Sequence, residues 1–383
     1  MTRPIPPGSI IGILGSGQLG RMIALAARNL GYRIVIFSPE AGAPAAAVAD
    51  EEFVADYLDL DRIREFAKKV DVVTFEFENV SAAGLDLLAS LRPVRPSPAV
   101  LRISQDRAAE KSFVNAAGIA TAPWRLVETL DELHQAAAAL GLPAILKTTR
   151  LGYDGRGQRR LNPSDDLAEA FAALAPQSLS TGPLILEGFI DFACEVSVIV
   201  ARGVNGDIAT FDVAENRHRH HILDLTLAPA RIPEATAAQA RDIAHIIAQS
   251  IDLVGLLVVE MFIDARGAVV VNEIAPRPHN SGHWTIDACP ASQFEMHIRA
   301  VAGLPLPPAT RHSDAVMKNL VGPQETALWP EILATPGLIP HLYGKSDARP
   351  GRKMGHVTRL FPRGGLPGDF AISDALGPLA PEA

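Results

Sequence analysis

Residues 256–285 read Leu-Leu-Val-Val-Glu-Met-Phe-Ile-Asp (256–264), Ala-Arg-Gly (265–267) and Ala-Val-Val-Val-Asn-Glu-Ile-Ala-Pro-Arg-Pro-His-Asn-Ser-Gly-His-Trp-Thr (268–285). Two apolar, β-branched runs flanking Asp-Ala-Arg-Gly predict a β-hairpin. With Ala265 and Arg266 as the turn, Glu260 falls opposite Val271 and Glu273 becomes its diagonal neighbour at roughly 7–8 Å. Two carboxylates and the Asn272 amide, aimed one way from oily strands, are costly to bury unless a cation neutralises them. Hard oxygen ligands of this kind suit Mg²⁺, which takes one or two carboxylates and completes its shell with water and substrate phosphates. The alternative is a pair of surface acids on a half-exposed hairpin.

The following loop carries Asn272, Glu273, Arg277, His279, Asn280, Ser281 and His283 between two prolines and a glycine. Pro276 and Pro278 stiffen the backbone that presents these side chains. The planar fork of Arg277 matches a carboxylate-like or phosphate-like anion. A solvent loop has no need of so many different donors, so this loop is expected to be functional.

The chain has 383 residues, 48% hydrophobic and 20% charged, enough for two or three domains. A net charge of −8 without a basic stripe argues against nucleic acid as a partner. The first residues do not read as a signal peptide, because Gly12, Gly15 and Gly17 interrupt the apolar run from Ile10. No stretch reaches the ~20 apolar residues that span a bilayer. Cys194 and Cys289 lack metal-type spacing, as in a reduced compartment. A soluble cytoplasmic protein is expected.

A short apolar strand over 9–14 leads into Gly15-Ser16-Gly17-Gln18-Leu19-Gly20, a helix over 21–30 and a second strand over 32–37. This βαβ unit carries the spelling of a dinucleotide fingerprint, and its helix N-terminus would attract a phosphate. NAD, however, requires an acid at the tip of the second strand. Here Ser38 stands in that place, and Glu40 follows a proline. A further helix over 60–70 and strand over 71–77 complete a small parallel α/β region.

Lys147 ends an apolar strand over 143–147, and a glycine-rich segment follows at once. A strand-borne lysine under a glycine flap can neutralise and cover phosphates, although the spacing is not that of a P-loop. A flexible hairpin with a snorkelling lysine is the alternative. Glu187 and Glu195 lie eight residues apart; the backbone after Glu187 could read an adenine edge and Glu195 could accept from ribose hydroxyls, or both could be solvent acids. Residues 215–221 hold three histidines with poor metal spacing, so a nucleotide-contacting or merely solvated loop is expected there. Lys345, Arg349, Arg352 and Lys353 cluster among glycines as an anion trap or a basic surface loop.

Taken together, residues 12–20, 73–80, 105–107, 152–158, 215–218 and 272–285 resemble the ATP-grasp superfamily and, within it, the N5-carboxyaminoimidazole ribonucleotide synthase family of purine biosynthesis. The resemblance implies an α/β and α+β ATP-grasp fold, with an N-terminal Rossmann-like domain (1–103), an ATP-grasp domain (104–310) carrying a mobile lid (about 118–185), and a small C-terminal β-rich domain (311–383). It implies ATP-dependent carboxylation of 5-aminoimidazole ribonucleotide with bicarbonate, through carboxyphosphate. It would place Arg107, Lys147, Gly152, Tyr153, Asp154, Gly155, Arg156, Gly157, Gln158, Glu187, Gly188, Phe189, Ile190, Glu195, His218, Asn272 and Glu273 at ATP. Glu260 and Glu273 would hold Mg²⁺. Ser16, Gln18, Leu19, Glu76, Tyr153, Arg277, Lys345 and Arg352 would frame the ribonucleotide. Arg277, His279, Asn280 and Asp154 would do the chemistry, with Arg277, His279 and Asn280 at the bicarbonate. A homodimer is expected on the same ground. The rivals are a formate-using or biotin-dependent ATP-grasp enzyme and a nicotinamide oxidoreductase.

Overall fold

The computed structural model describes residues 3–152 and 157–380. The first sheet is parallel: β1 (Ile10–Leu14), β2 (Arg33–Ser38), β3 (Glu51–Val54) and β4 (Val72–Phe75), in the order β3-β2-β1-β4. The near-continuous apolar runs of β1 and β2 are what a strand covered on both faces requires. Helix Gln18–Asn29 and helix Gln293–Ala302 pack on one face through Ile23, Ala27, Ile298 and Val301. Phe66, Leu85 and Leu88 cover the other.

The second sheet is small and antiparallel: β5 (Trp124–Val127), β6 (Ala144–Thr148), β7 (Gln158–Leu161) and β8 (Leu184–Gly188), in the order β5-β8-β6-β7. It has a core of its own, with helix Leu130–Leu140 packed on it through Leu133, Ala136 and Ala137.

The third sheet has nine strands: β9 (Phe192–Arg202), β10 (Ile208–Thr210), β11 (Ala214–Arg219), β12 (Ile222–Ala228), β13 (Gly255–Asp264), β14 (Val269–Ala275), β15 (Ser313–Val321), β16 (Leu338–Leu342) and β17 (Lys353–Pro362). Pairing of β12 with β15 carries the C-terminal strands into this same sheet. Val196, Val198, Val259, Met261 and Val271 point to one core, which helix Glu234–Ser250 closes. The opposite face turns polar at Glu260. No helix among the described residues is long and apolar enough to cross a membrane.

Two expectations change. The hairpin turn has three residues rather than two: Asp264 N donates to the Ala268 carbonyl at 3.1 Å, and Gly267 takes a φ of +83°. That is the three-residue loop with glycine in the left-handed position. A bulge at Asn272 then adds one residue to β14, so Glu260 pairs directly with Glu273 and Met261 with Val271. Residues 215–221, expected to be a loop, are strand β11 and a tight turn. His220 and His221 both have positive φ there, at 51° and 64°, as the turn between β11 and β12 demands.

Candidate active site

Directly paired residues in an antiparallel sheet lie on one face, about 4.5–5.5 Å apart at Cβ. Glu273 pairs with Glu260, Glu260 with Ser197, and Glu195 with Asn216, which gathers the polar side chains of four strands. Burial, and then Glu273 opposite, pushes the Glu260 carboxyl up to about 8. His218, in the bulged part of β11, reaches Glu195 through Nδ1; that contact more than offsets burial and raises the imidazole above its ordinary value. Two carboxylates side by side on one half-buried face form a donor set that fits a hard divalent cation.

Helix Arg107–Ala116 runs beside the edge strand β14, with Val114 in the core on the sheet's other face, and is capped by the Asp106 carboxylate accepting from Ala108 N and Ala109 N. Positions 107, 110 and 111 fall on one helix face by spacing. Arg107 reaches Glu273 Oε2 at 3.4 Å and the Gly152 carbonyl at 3.1 Å. Glu110 Oε1 accepts from Ile274 N at 2.5 Å, and burial raises its carboxyl to about 8. Lys111 reaches Glu187 Oε2 at 3.3 Å, and Lys147 meets the same oxygen at 2.9 Å. Burial alone would raise Glu187, but the two lysines overcome it and hold the carboxyl below its ordinary value. Burial lowers the Lys147 ammonium, and Glu187 offsets part of that. Gln158 pairs across from Lys147 in the β6–β7 hairpin. Gly157, with a φ of +69°, precedes it. The amides of Gly188 and Phe189 bond the carbonyls of Pro123 and Pro143, and Arg160 stacks on the Phe189 ring at 4.2 Å; Ile190 follows β8. Tyr153, Asp154, Gly155 and Arg156 lie outside the described residues.

The loop after β14 is pinned by Gln293, which is fully buried. Its Oε1 accepts from His279 N at 2.9 Å, and its Nε2 donates to the His279 carbonyl at 2.7 Å. His279 Nδ1 accepts from Ser281 N, which leaves the ring proton on Nε2, 3.2 Å from Glu260 Oε1. Burial, reinforced by Arg277, drives the His279 pKa well below its ordinary value, so the ring is neutral. Arg277 Nε lies 3.1 Å from Glu78 Oε1 without hydrogen-bond alignment, and both Asn280 side-chain atoms are buried without a partner among the described residues. A fork and an amide held this way suit a small anion.

The glycine loop is already filled. Glu76, at the end of β4, accepts from Gly20 N at 2.6 Å and from Gly17 N, so a carboxylate takes the place a dinucleotide phosphate would occupy. At Gly15, with a φ of +105°, a Cβ would fall 2.4 Å from Glu76 Cγ. Ser38, where NAD would need an acid, accepts a hydrogen bond from Ser16 at 2.7 Å. Gln18 opens the helix, and Leu19 packs against the sheet core. Burial raises Glu76, with Gly20, Gly17, Arg277 and Lys345 opposing, which places the C-terminal basic loop and Arg277 at this end of the molecule. Lys345 Nζ donates to the Lys353 carbonyl at 2.7 Å, and Arg352 to the Asp347 carbonyl at 2.8 Å.

Sequence reasoning missed Glu110, Lys111, Glu78 and Gln293, and left Lys353 as one member of a basic cluster. Lys353 lies close enough to oppose protonation of His218 and His279. The 107/110/111 spacing was the available signal for the first two. A second polar cluster joins Asp287, His341 and His356, with ligand atoms within 4.8 Å. The two imidazoles stack at 17°, however, so their in-plane lone pairs run nearly parallel and do not converge on one ion.

Three family models match in order: the ribonucleotide synthetase preATP-grasp domain over residues 9–105, the ATP-grasp domain over 112–294, and the phosphoribosylaminoimidazole carboxylase C-terminal domain over 315–363. The N5-carboxyaminoimidazole ribonucleotide synthase of Brucella melitensis is 52% identical over 94% of this chain and 98% of its own length. That of Bacillus subtilis is 43% identical over 92% of each. Among solved structures, an ADP complex of an N5-carboxyaminoimidazole ribonucleotide synthetase is 44% identical, covers 94% of both chains and superposes with a TM-score of 0.90. An Aspergillus clavatus synthase in complex with ADP and 5-aminoimidazole ribonucleotide is 31% identical over 97% of both, with a TM-score of 0.87. At this identity and coverage, the chain belongs to the N5-carboxyaminoimidazole ribonucleotide synthases, a family of ATP-grasp ligases.

Proposed function

We propose that this chain carboxylates 5-aminoimidazole ribonucleotide with bicarbonate at the expense of ATP, giving N5-carboxyaminoimidazole ribonucleotide, ADP and phosphate, and that the residues gathered above divide that work. The observation that carries the division is the Glu260–Glu273 pair lying beside the rigid Arg277–Asn280 loop, with Lys147 on the neighbouring small sheet.

ATP would lie between the small sheet and the polar face, its adenine against residues 187–190 and its ribose at Glu195 and His218. Arg107, Lys147 and the 152–158 segment would meet the phosphates. Glu260 and Glu273, with Asn272 beside them, would hold magnesium, which when bound supplies positive charge to the polyphosphate. Bicarbonate is a poor electrophile, so its oxygen must attack the γ-phosphorus while the bond to ADP breaks. Arg277 and Asn280 would hold the bicarbonate oxygens and offset the charge that accumulates. His279, neutral with its proton on Nε2, would donate to an oxygen rather than accept a proton. Carboxyphosphate then breaks to carbon dioxide and phosphate, and the ribonucleotide amine captures the carbon dioxide. The ribonucleotide would lie among Ser16, Gln18, Leu19, Glu76, Tyr153, Lys345 and Arg352. The intermediate hydrolyses in water, so residues 152–158 would cover it. Asp154 is assigned to the chemistry by family likeness alone.

The same reading takes the chain as three units (1–103, 104–310 with a lid at about 118–185, and 311–383) in a cytoplasmic homodimer without nucleic-acid or membrane partners. The test of the reaction is ADP release with each co-substrate left out in turn. Release should require the aminoimidazole ribonucleotide and bicarbonate together. Turnover that instead requires formate or biotin would overturn the assignment.

A further inference from the structure

Glu187 lies in the middle of a buried charge cluster with one acid and two lysines. Lys111 and Lys147 both approach the same oxygen, Oε2, at 3.3 and 2.9 Å. The lysines are not equivalent. Lys147 ends a strand of the small sheet and leaves 12% of its side chain exposed, whereas Lys111 is sealed at 2% on helix Arg107–Ala116. Lys147 can turn toward an incoming ligand, and Lys111 cannot leave. Two polar atoms in the cluster are buried without a hydrogen-bond partner among the described residues: Glu187 Oε1 and Lys111 Nζ. Each is costly to leave unmade, and each is the natural partner of the other.

We propose that Lys111 is a positioning residue, a reserve counterion that keeps Glu187 paired and in place when Lys147 leaves it for a nucleotide phosphate. The inference rests on the phosphate role proposed for Lys147. Without nucleotide, Lys147 makes the closer contact. When a phosphate draws Lys147 away, Glu187 would become a lone buried carboxylate, and binding would bear its desolvation. Lys111, 3.3 Å away with an unused donor, takes over the carboxylate, so Lys147 is released at little cost. The device also ties the small sheet, which carries Glu187, to the helix that carries Arg107 and thereby to Glu273.

The test measures ADP affinity by calorimetry, and melting temperature with and without ADP, for Lys111→Met, Lys147→Met and Lys111→Met/Glu187→Gln. Lys111→Met should fold and melt within about 2 °C of the parent without nucleotide, because Lys147 still pairs with Glu187. It should bind ADP at least tenfold more weakly and lose most of the ADP-induced rise in melting temperature. The double variant, with no buried carboxylate to strand, should bind ADP more tightly than Lys111→Met. Equal destabilisation with and without ADP, failure of Lys111→Met to fold, or unchanged ADP affinity would each overturn the inference. Lys147→Met that binds ADP like the parent would instead overturn the phosphate role of Lys147. Weak binding by Lys147→Met alongside normal binding by Lys111→Met would overturn the reserve role alone.

Discussion

Glu260 and Glu273 face each other across β13 and β14, brought into direct register by a bulge at Asn272. In the proposed reaction a divalent cation lies at this pair; without one, burial and Glu273 opposite push the Glu260 carboxyl up to about 8. Glu273→Ala should therefore abolish turnover, by a factor of at least about 10³, on the scale of losing a principal electrostatic group in a water-excluded site. Circular dichroism and the melting temperature should stay near those of the parent, because Glu273 is partly exposed at the end of the core. Near-normal ADP release by this variant would refute the metal role.

The pair also predicts how stability responds to pH. Glu260 and Glu110 titrate at about 8 in the folded chain against an ordinary 4.5. Between those values the folded state holds protons that the unfolded state has released, so stability falls as pH rises through this window. The buried rings of His279, His283, His297 and His356 are held neutral and act in the opposite sense below about pH 6.5, so the melting temperature of the ligand-free protein should drop from about pH 7 to about pH 8.5. Glu260→Gln should make that slope shallower, leaving the share due to Glu110. An unchanged slope in Glu260→Gln would contradict the burial argument.

His279 is held neutral by burial and by Arg277, and Ser281 N bonded to Nδ1 leaves its proton on Nε2. Nitrogen NMR of the labelled ring should show that single tautomer unchanged down to about pH 5.5, well above where the ring would gain a second proton. A ring that becomes doubly protonated near pH 6.5 would remove His279 as a fixed donor.

Gln293 has no contact with the acid pair, yet it holds His279 through two backbone bonds. Gln293→Leu strands buried groups and should cost about 1–3 kcal/mol of stability per group left unpaired. Loosening the loop should also lower kcat/KM for bicarbonate by about tenfold or more, with a smaller effect on the KM for ATP. Equal effects on both substrates would point to general damage.

The extent to which the site was readable followed how local its physics is. The hairpin, the stiff loop from Pro276 to His283 and the glycine turn of β1 are set by neighbouring residues, and their positions emerged as expected. The direct pairing of Glu260 with Glu273 was not readable, because the turn is one residue longer than expected and a bulge shifts register by one more without leaving a residue-type mark in Val-Asn-Glu. Glu76 was legible as a site residue through the family resemblance, but its filling of the glycine loop depends on residues about sixty positions apart meeting across β1 and β4. Glu110 and Lys111 drew no reading at all, since the chain alone does not say that a second sheet covers that side of their helix. Residues 215–221 read as a loop because their polarity hid an edge of alternation that becomes visible once β9 and β12 flank them.

The most direct test of the account follows oxygen. If bicarbonate attacks the γ-phosphorus in the Arg277–Asn280 cradle, bicarbonate labelled with oxygen-18 must leave one labelled oxygen in each phosphate released during ribonucleotide-dependent turnover, read by mass spectrometry before exchange with water. Phosphate carrying no label from bicarbonate, at full rates of carboxylation, would mean that ATP is cleaved by another nucleophile and that the cradle does not do what its geometry is taken to do.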